Sequence, residues 1–250
     1  MLKQVVYLFF ALSLSLVTAC SPDNSGTKAS TISLQLFFNG QPLHCQHMLN
    51  IAEQEWQLQQ FQLYLSEFSL NNKTINLASE PVNQQATIAL LGTVCDNNDQ
   101  WQLQFNQPLN DGQLSFLVGV PARLNHQDPL RAAAPLNQSD MFWSWQSGYK
   151  YLRLELGAVD QQWALHLGAT GCHSASALRP PTAPCTSPNL ARIQVNYKVG
   201  QQLQFDLAPV ISDITLSADN HCMADPNRLS CQQLLPRLGI NNQAVGWSTQ

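Results

Sequence analysis

Nine short stretches of this chain alternate apolar and polar residues, and a period of two confines most of the chain to extended backbone. They are Ile32–Phe38, Phe61–Leu65, Thr87–Leu91, Trp101–Phe105, Leu114–Val118, Tyr149–Leu156, Trp163–Leu167, Ile193–Tyr197 and Leu203–Leu207. Gly, Pro and Asn clusters separate them, Asn39-Gly40 being the clearest turn signal. This punctuation predicts an all-β chain, an antiparallel β-sandwich of about nine strands. A few short helices are expected at Asn50–Gln60, at the Ala-rich 129–134 and at Arg228–Leu235. The polar positions of the runs are often Gln, which explains why only 11% of residues are charged against a typical share of about 25%. Hydrophobic residues make up 44% of the chain, which argues against disorder. A net charge of −4 with no basic cluster argues against an electrostatic nucleic-acid binder.

The N-terminus predicts export. Met1–Lys3 is a short basic start, and Val5–Val17 is an apolar run of signal-peptide length. Val17-Thr18-Ala19-Cys20 resembles a bacterial lipobox, which makes Cys20 the lipidated first residue of the mature protein. Residues 1–19 are then a lipoprotein signal peptide, 20–31 a flexible polar tether, and 32–250 the folded domain. Ser21 stands where Asp would favour retention at the inner membrane, so the expected location is the outer membrane, facing the periplasm. Membrane contact would be through the lipid anchor only, since no later apolar run is long enough to span a bilayer.

Lipidation also resolves the odd count of seven cysteines. Six remain, and an even number in an exported chain reads as three disulfides. Six cysteines allow 15 pairings. Proximity favours Cys172–Cys185 and Cys222–Cys231, which leaves Cys45–Cys95. The Pro-rich stretch 179–188 then lies inside a closed loop. No pair of C-x2-C elements suggests structural zinc, and without C-x-x-C-H no haem is expected in this chain.

Two of the six histidines sit in informative surroundings. His126 lies in the loop Gly119–Pro129, after a strand. His166 lies in Trp163–Cys172, where alternation puts it on one face with Ala164 and Gly168, small neighbours that leave room for the ring. A neutral imidazole suits copper or zinc, although a hydrogen-bonded structural histidine is the plainer reading of each residue alone. His44 and His47 flank Cys45, are expected to be exposed, and form a minor candidate pair. Met141–Tyr151 concentrates five aromatic residues. In an extended stretch Met141, Trp143 and Trp145 would share a side; aromatic core packing is the plainer reading, and redox chemistry of an electron-rich indole is the sharper one.

These segments together resemble the MbnP family of bacterial copper-binding proteins, also described as the four-Cys partner of a metallo-mystery pair. The resemblance rests on Gly119–Pro129, Met141–Tyr151, Trp163–Cys172 and Cys185–Asn189, with Tyr64–Leu70 before them and Cys222–Ile240 after. Ala169, where Ser is expected, and His221, where Gly is common, depart from the pattern. The resemblance implies a MauG-like dihaem cytochrome c peroxidase as partner. That enzyme oxidises a Trp to kynurenine, and the opened ring helps to bind copper, suited to Cu(I). Carried over, it implies His126 and His166 as ligands and Trp145 or Trp143 as the modified residue. Asn125 and Asp128 would orient His126. The chain would be a substrate of that haem enzyme and not itself an enzyme.

Two other classes compete. A hydrolase lacks support, because neither G-x-S-x-G nor H-E-x-x-H occurs. A metal-free lipoprotein that binds carbohydrate or protein would suit exposed Trp residues and Gln-rich strand faces.

Overall fold

A computed structural model describes residues 30–95 and 97–250. The signal peptide, Cys20 and most of the expected tether lie outside the described residues. Thr31, assigned above to the tether, already belongs to the first strand, Thr31–Phe38. Ser30 is tied in as well: its hydroxyl accepts from the Leu109 amide at 2.8 Å and its carbonyl from the Phe105 amide at 2.8 Å.

All nine alternating runs contribute to strands, and shorter strands join them in two sheets. The larger sheet is organised on one long strand, Gln54–Leu70. Gly148–Gly157 and Ile88–Val94 both pair with its middle, and Gly112–Val118 pairs with its C-terminal part. Gln162–Gly168 extends the sheet beyond Gly148–Gly157, and Ala191–Tyr197 extends it beyond Gly112–Val118. The long strand accommodates these neighbours through a bulge. The register slips opposite Ser66 and Ser69, where Glu67 takes a left-handed φ of 52°.

The smaller sheet contains Thr31–Phe38, Leu203–Asp206 and Trp247–Thr249. Its aromatic residues meet those of the larger sheet in the core. Phe205 stands 6.0 Å from Phe61, and Trp247 stands 5.2 Å from Phe116, ring centre to ring centre. This is the expected sandwich-like, all-β arrangement. The sheets are mixed, however. Thr31–Phe38 runs parallel to Leu203–Asp206, and Gln162–Gly168 runs parallel to Cys222–Met223.

Two helix expectations are corrected. Asn50–Gln60 forms a hairpin in which Met48–Ile51 pairs with the start of the long strand. Its buried residues Leu49, Ile51, Trp56 and Leu58 follow a period of two, and the tight turn is made by Ala52 and Glu53, both at positive φ. Residues 129–134 form turns, because the Asp128 carboxylate accepts from the Leu130 amide at 2.9 Å and directs the backbone locally. The third expectation holds: Leu229–Arg237 is helical. All three disulfides pair as expected, Cys45–Cys95, Cys172–Cys185 and Cys222–Cys231. No helix among the described residues is long and apolar enough to cross a membrane.

Candidate metal centre

Three neighbouring strands of the larger sheet build one polar row after another on their outward face. In register, Gln62 faces Arg153 and Arg153 faces His166, while Gln60 faces Glu155 and Glu155 faces Ala164. Residues directly opposite share a face, so these side chains meet in one patch. Arg153 holds Glu155 with Nε to Oε1 at 2.6 Å, and it reaches Asp140 at 3.4 Å. The imidazole of His166 approaches the same carboxylate oxygen, with Nε2 2.9 Å from Glu155 Oε1.

His166 is buried, and its Nδ1 has no hydrogen-bond partner. Among the described residues only the indole nitrogen of Trp56 shares that condition. Burial pushes the His166 pKa below 6.5 against the raising effect of Glu155. The Glu155 carboxyl is held down at about 2, chiefly by the hydrogen bond from His166, with Arg153 adding to the effect. The 2.9 Å contact to an acceptor-only carboxylate places the imidazole proton on Nε2, which donates to Glu155. Nδ1 then carries a lone pair that no protein group engages. A carboxylate behind an imidazole is the usual support for a metal-ligating histidine.

Trp143 lies beside this ring, with centroids 6.3 Å apart. Its indole covers Gly168, where an added Cβ would collide with Cζ3 of the ring. The space that small neighbours were expected to leave around His166 is thus taken up by Trp143. Trp143 and Trp145 are both half-buried, while Met141 is fully buried, so the three do not share an environment. The Trp145 ring packs edge-on against Phe142 at 6.0 Å.

His126 meets the same hairpin from its other end. Nδ1 lies 3.2 Å from the Trp145 carbonyl, so Nδ1–H donates there and Nε2 keeps its lone pair. Burial lowers the His126 pKa, against a raising effect from that carbonyl. Asn125 is buried and anchors the hairpin: its Oδ1 accepts from the Tyr149 amide at 2.9 Å and its Nδ2 donates to the Ser147 carbonyl at 3.3 Å. Asn125 Nδ2 also lies 3.4 Å from His126 Nε2. Asp128 is engaged elsewhere, by the Leu130 amide and by Arg131 at 3.6 Å.

Cys172 and Cys185 bring their sulfurs close to His126, all ligand atoms lying within 4.8 Å. Both sulfurs are in the disulfide, so this group offers one imidazole and no thiolate. Of the other histidines, His221 accepts the Ala164 amide through Nδ1 at 2.9 Å and closes the sheet edge, while His44, His47 and His173 are exposed.

Glu155, Arg153 and Asp140 are the polar partners that sequence reasoning missed. The available signal was a pair of charged residues inside the apolar alternation of Tyr149–Leu156.

The two depressed imidazole pKa values carry a measurable consequence. Because the folded values lie below 6.5, the unfolded chain takes up protons first on acidification. Stability from these groups is therefore complete above pH 6.5 and declines as pH falls from there toward the folded values. A proton-NMR titration is expected to give midpoints below 6.5 for both rings. A higher midpoint for either would mean that burial does not dominate its titration.

A family model described as MbnP matches residues 27–224. Among solved structures, MbnP from Methylosinus trichosporium shares the fold, with a TM-score of 0.75 at 20% identity. The alignment covers 89% of this chain and 98% of that one. No curated protein matches.

Proposed function

The chain belongs to the MbnP family, and from that premise we propose that it is an exported lipoprotein that binds copper(I) through His126, His166 and an oxidised Trp143. The observation that carries the reading is the buried Nδ1 of His166, whose lone pair has no hydrogen-bond partner while Nε2 is committed to Glu155. Export is supported by the lipobox ending at Cys20 and by three disulfides, which persist in an oxidising compartment.

Trp143 is preferred over Trp145 because its ring, and not that of Trp145, adjoins His166. Two equivalents of peroxide activated by a haem enzyme would cleave the indole C2–C3 bond and add two oxygens, and hydrolysis would release C2 as formate, leaving kynurenine with an aromatic amine and a ketone and so a ligand nitrogen on a formerly apolar side chain. Half-burial leaves Trp143 within reach of an external haem oxidant, such as a MauG-like dihaem peroxidase. Two neutral imidazoles and an amine form a low-coordinate nitrogen set suited to copper(I). His126 contributes Nε2 and His166 contributes Nδ1, each fixed by the bond its other nitrogen donates. The chain itself carries out no catalysis in this scheme. It is the oxidase's substrate, its domain facing the periplasm from a Cys20 anchor in the outer membrane.

The test is to produce the chain with and without such a peroxidase and to compare Trp143 peptide masses and copper(I) binding. Kynurenine at Trp143, together with tighter copper binding in the modified protein, is expected. Unmodified Trp143 in a protein with full copper affinity would end the proposal. Within it, Glu155→Gln is expected to weaken copper(I) by about 10–100-fold, the usual range for a partner behind a ligating histidine. Its thermal midpoint serves as the control: a fall in affinity only in proportion to lost folded protein would reduce Glu155 to a structural group.

A further inference from the structure

The turn His44–His47 lies apart from the Trp143 hairpin in sequence and belongs to no part of the centre described above. The His47 amide donates to the His44 carbonyl at 3.0 Å and closes the turn. Inside it, Cys45 is bonded to Cys95, and its carbonyl accepts from Gln57 Nε2 at 3.0 Å. The backbone under the two imidazoles is therefore fixed by a disulfide and two hydrogen bonds. Both rings are exposed, and neither ring has a protein hydrogen-bond partner among the described residues. Their centroids stand 5.3 Å apart with planes tilted by 49°.

That spacing suits a shared ion. With a metal–nitrogen bond of about 2.0 Å, a metal lies roughly 3.2 Å from each ring centre, and rings 5.3 Å apart then subtend roughly 110° at it. This lies between tetrahedral and trigonal angles. Met48 follows directly, is 52% exposed, and lines the same surface cleft as His44 and His47. An exposed thioether contributes little to folding, whereas beside two imidazoles it adds a soft donor that favours copper(I) over harder divalent ions.

We infer that His44, His47 and Met48 form a second, surface copper(I) site on the disulfide-held turn. It needs no oxidised tryptophan, so it is complete in the chain as translated, exported and disulfide-bonded. Its exposure makes it an exchange site, open to direct transfer of the ion to another protein.

The decisive experiment is copper(I) competition against bicinchoninate with the whole protein produced without a haem peroxidase, so that its tryptophans are intact. Wild type is expected to retain copper, and H44A/H47A to lose about 100-fold or more in affinity. M48L is expected to lose about tenfold, while H173A, at an exposed histidine outside both centres, behaves as wild type. X-ray absorption of the copper-loaded wild type should report nitrogen and sulfur scatterers, with the sulfur absent in M48L. Retention unchanged in H44A/H47A, loss in H173A, or no retention by wild type would each overturn the assignment. All three substituted turn residues are exposed, so the variants fold, and unchanged thermal midpoints verify it. Because this test uses protein with intact tryptophans, and the Trp143 centre is tested by oxidation of that residue, failure here leaves the Trp143 centre untouched, and the reverse is also true.

Discussion

His166→Ala, made in protein whose Trp143 has been oxidised, is expected to lower copper(I) affinity by about 1000-fold, the largest effect of any single substitution in the proposed centre. The substitution removes a ligand nitrogen and leaves the Glu155 carboxylate facing the vacated space. Arg153 still holds that carboxylate at 2.6 Å, so the residual charge is not orphaned and the fold survives. Affinity and stability should therefore separate: the copper titration collapses while the unfolding midpoint moves by a few degrees. The double variant with Glu155→Gln sharpens the result. If Glu155 acts through His166, removing it after His166 is gone costs almost nothing further, and the two effects fail to add. Additive losses would assign Glu155 a contact of its own, and an unaffected titration in His166→Ala would remove that ring from the centre.

The second large effect concerns stability. Replacing both Cys45 and Cys95 with Ser is expected to destabilise the domain by about 4 kcal/mol in the chain-entropy description, given a closed loop of 50 residues. At a domain of this size that corresponds to a fall in unfolding midpoint of about 8–16 °C. This bridge does more than the other two because their loops are short, with separations of 13 and 9. It also ties the His44 turn to the end of Ile88–Val94, which pairs with the long strand. Calorimetry on the double variant checks the value. A shift under about 2 °C would mean that the unfolded chain gains little freedom when the bridge is cut.

Strand positions were legible because alternation is local. Each of the nine runs carries its own period, and each found a strand. The hairpin at Asn50–Gln60 was not legible, because its turn uses Ala52 and Glu53 at positive φ where Gly or Asn would have signalled it. The parallel pairing of Thr31–Phe38 with Leu203–Asp206 joins segments far apart in the chain, and no local pattern encodes it. The disulfides were legible because two of the pairs are close in sequence. At the candidate centre, the histidines and tryptophans could be named from their segments, whereas Glu155 could not. Its position beside His166 depends on the register of Gly148–Gly157 against Gln162–Gly168, which is a property of the folded sheet. The neighbourhood of Trp143 and Gly168 has the same origin, since it requires the Phe142–Ser144 strand to fold back on Tyr149.

The strands Gly148–Gly157 and Gln162–Gly168 have two sides with different duties. Leu152, Leu154, Leu156, Trp163, Leu165 and Leu167 point inward and are almost wholly buried, while Arg153, Glu155 and His166 point the other way. Ligand chemistry and foldability are therefore insulated from each other by the thickness of one sheet. Lineages can retune the outward row, exchanging a donor or shifting a charge, without reopening the question of whether the chain folds. The inward row can drift among hydrophobic residues of similar volume without disturbing the outward polar row.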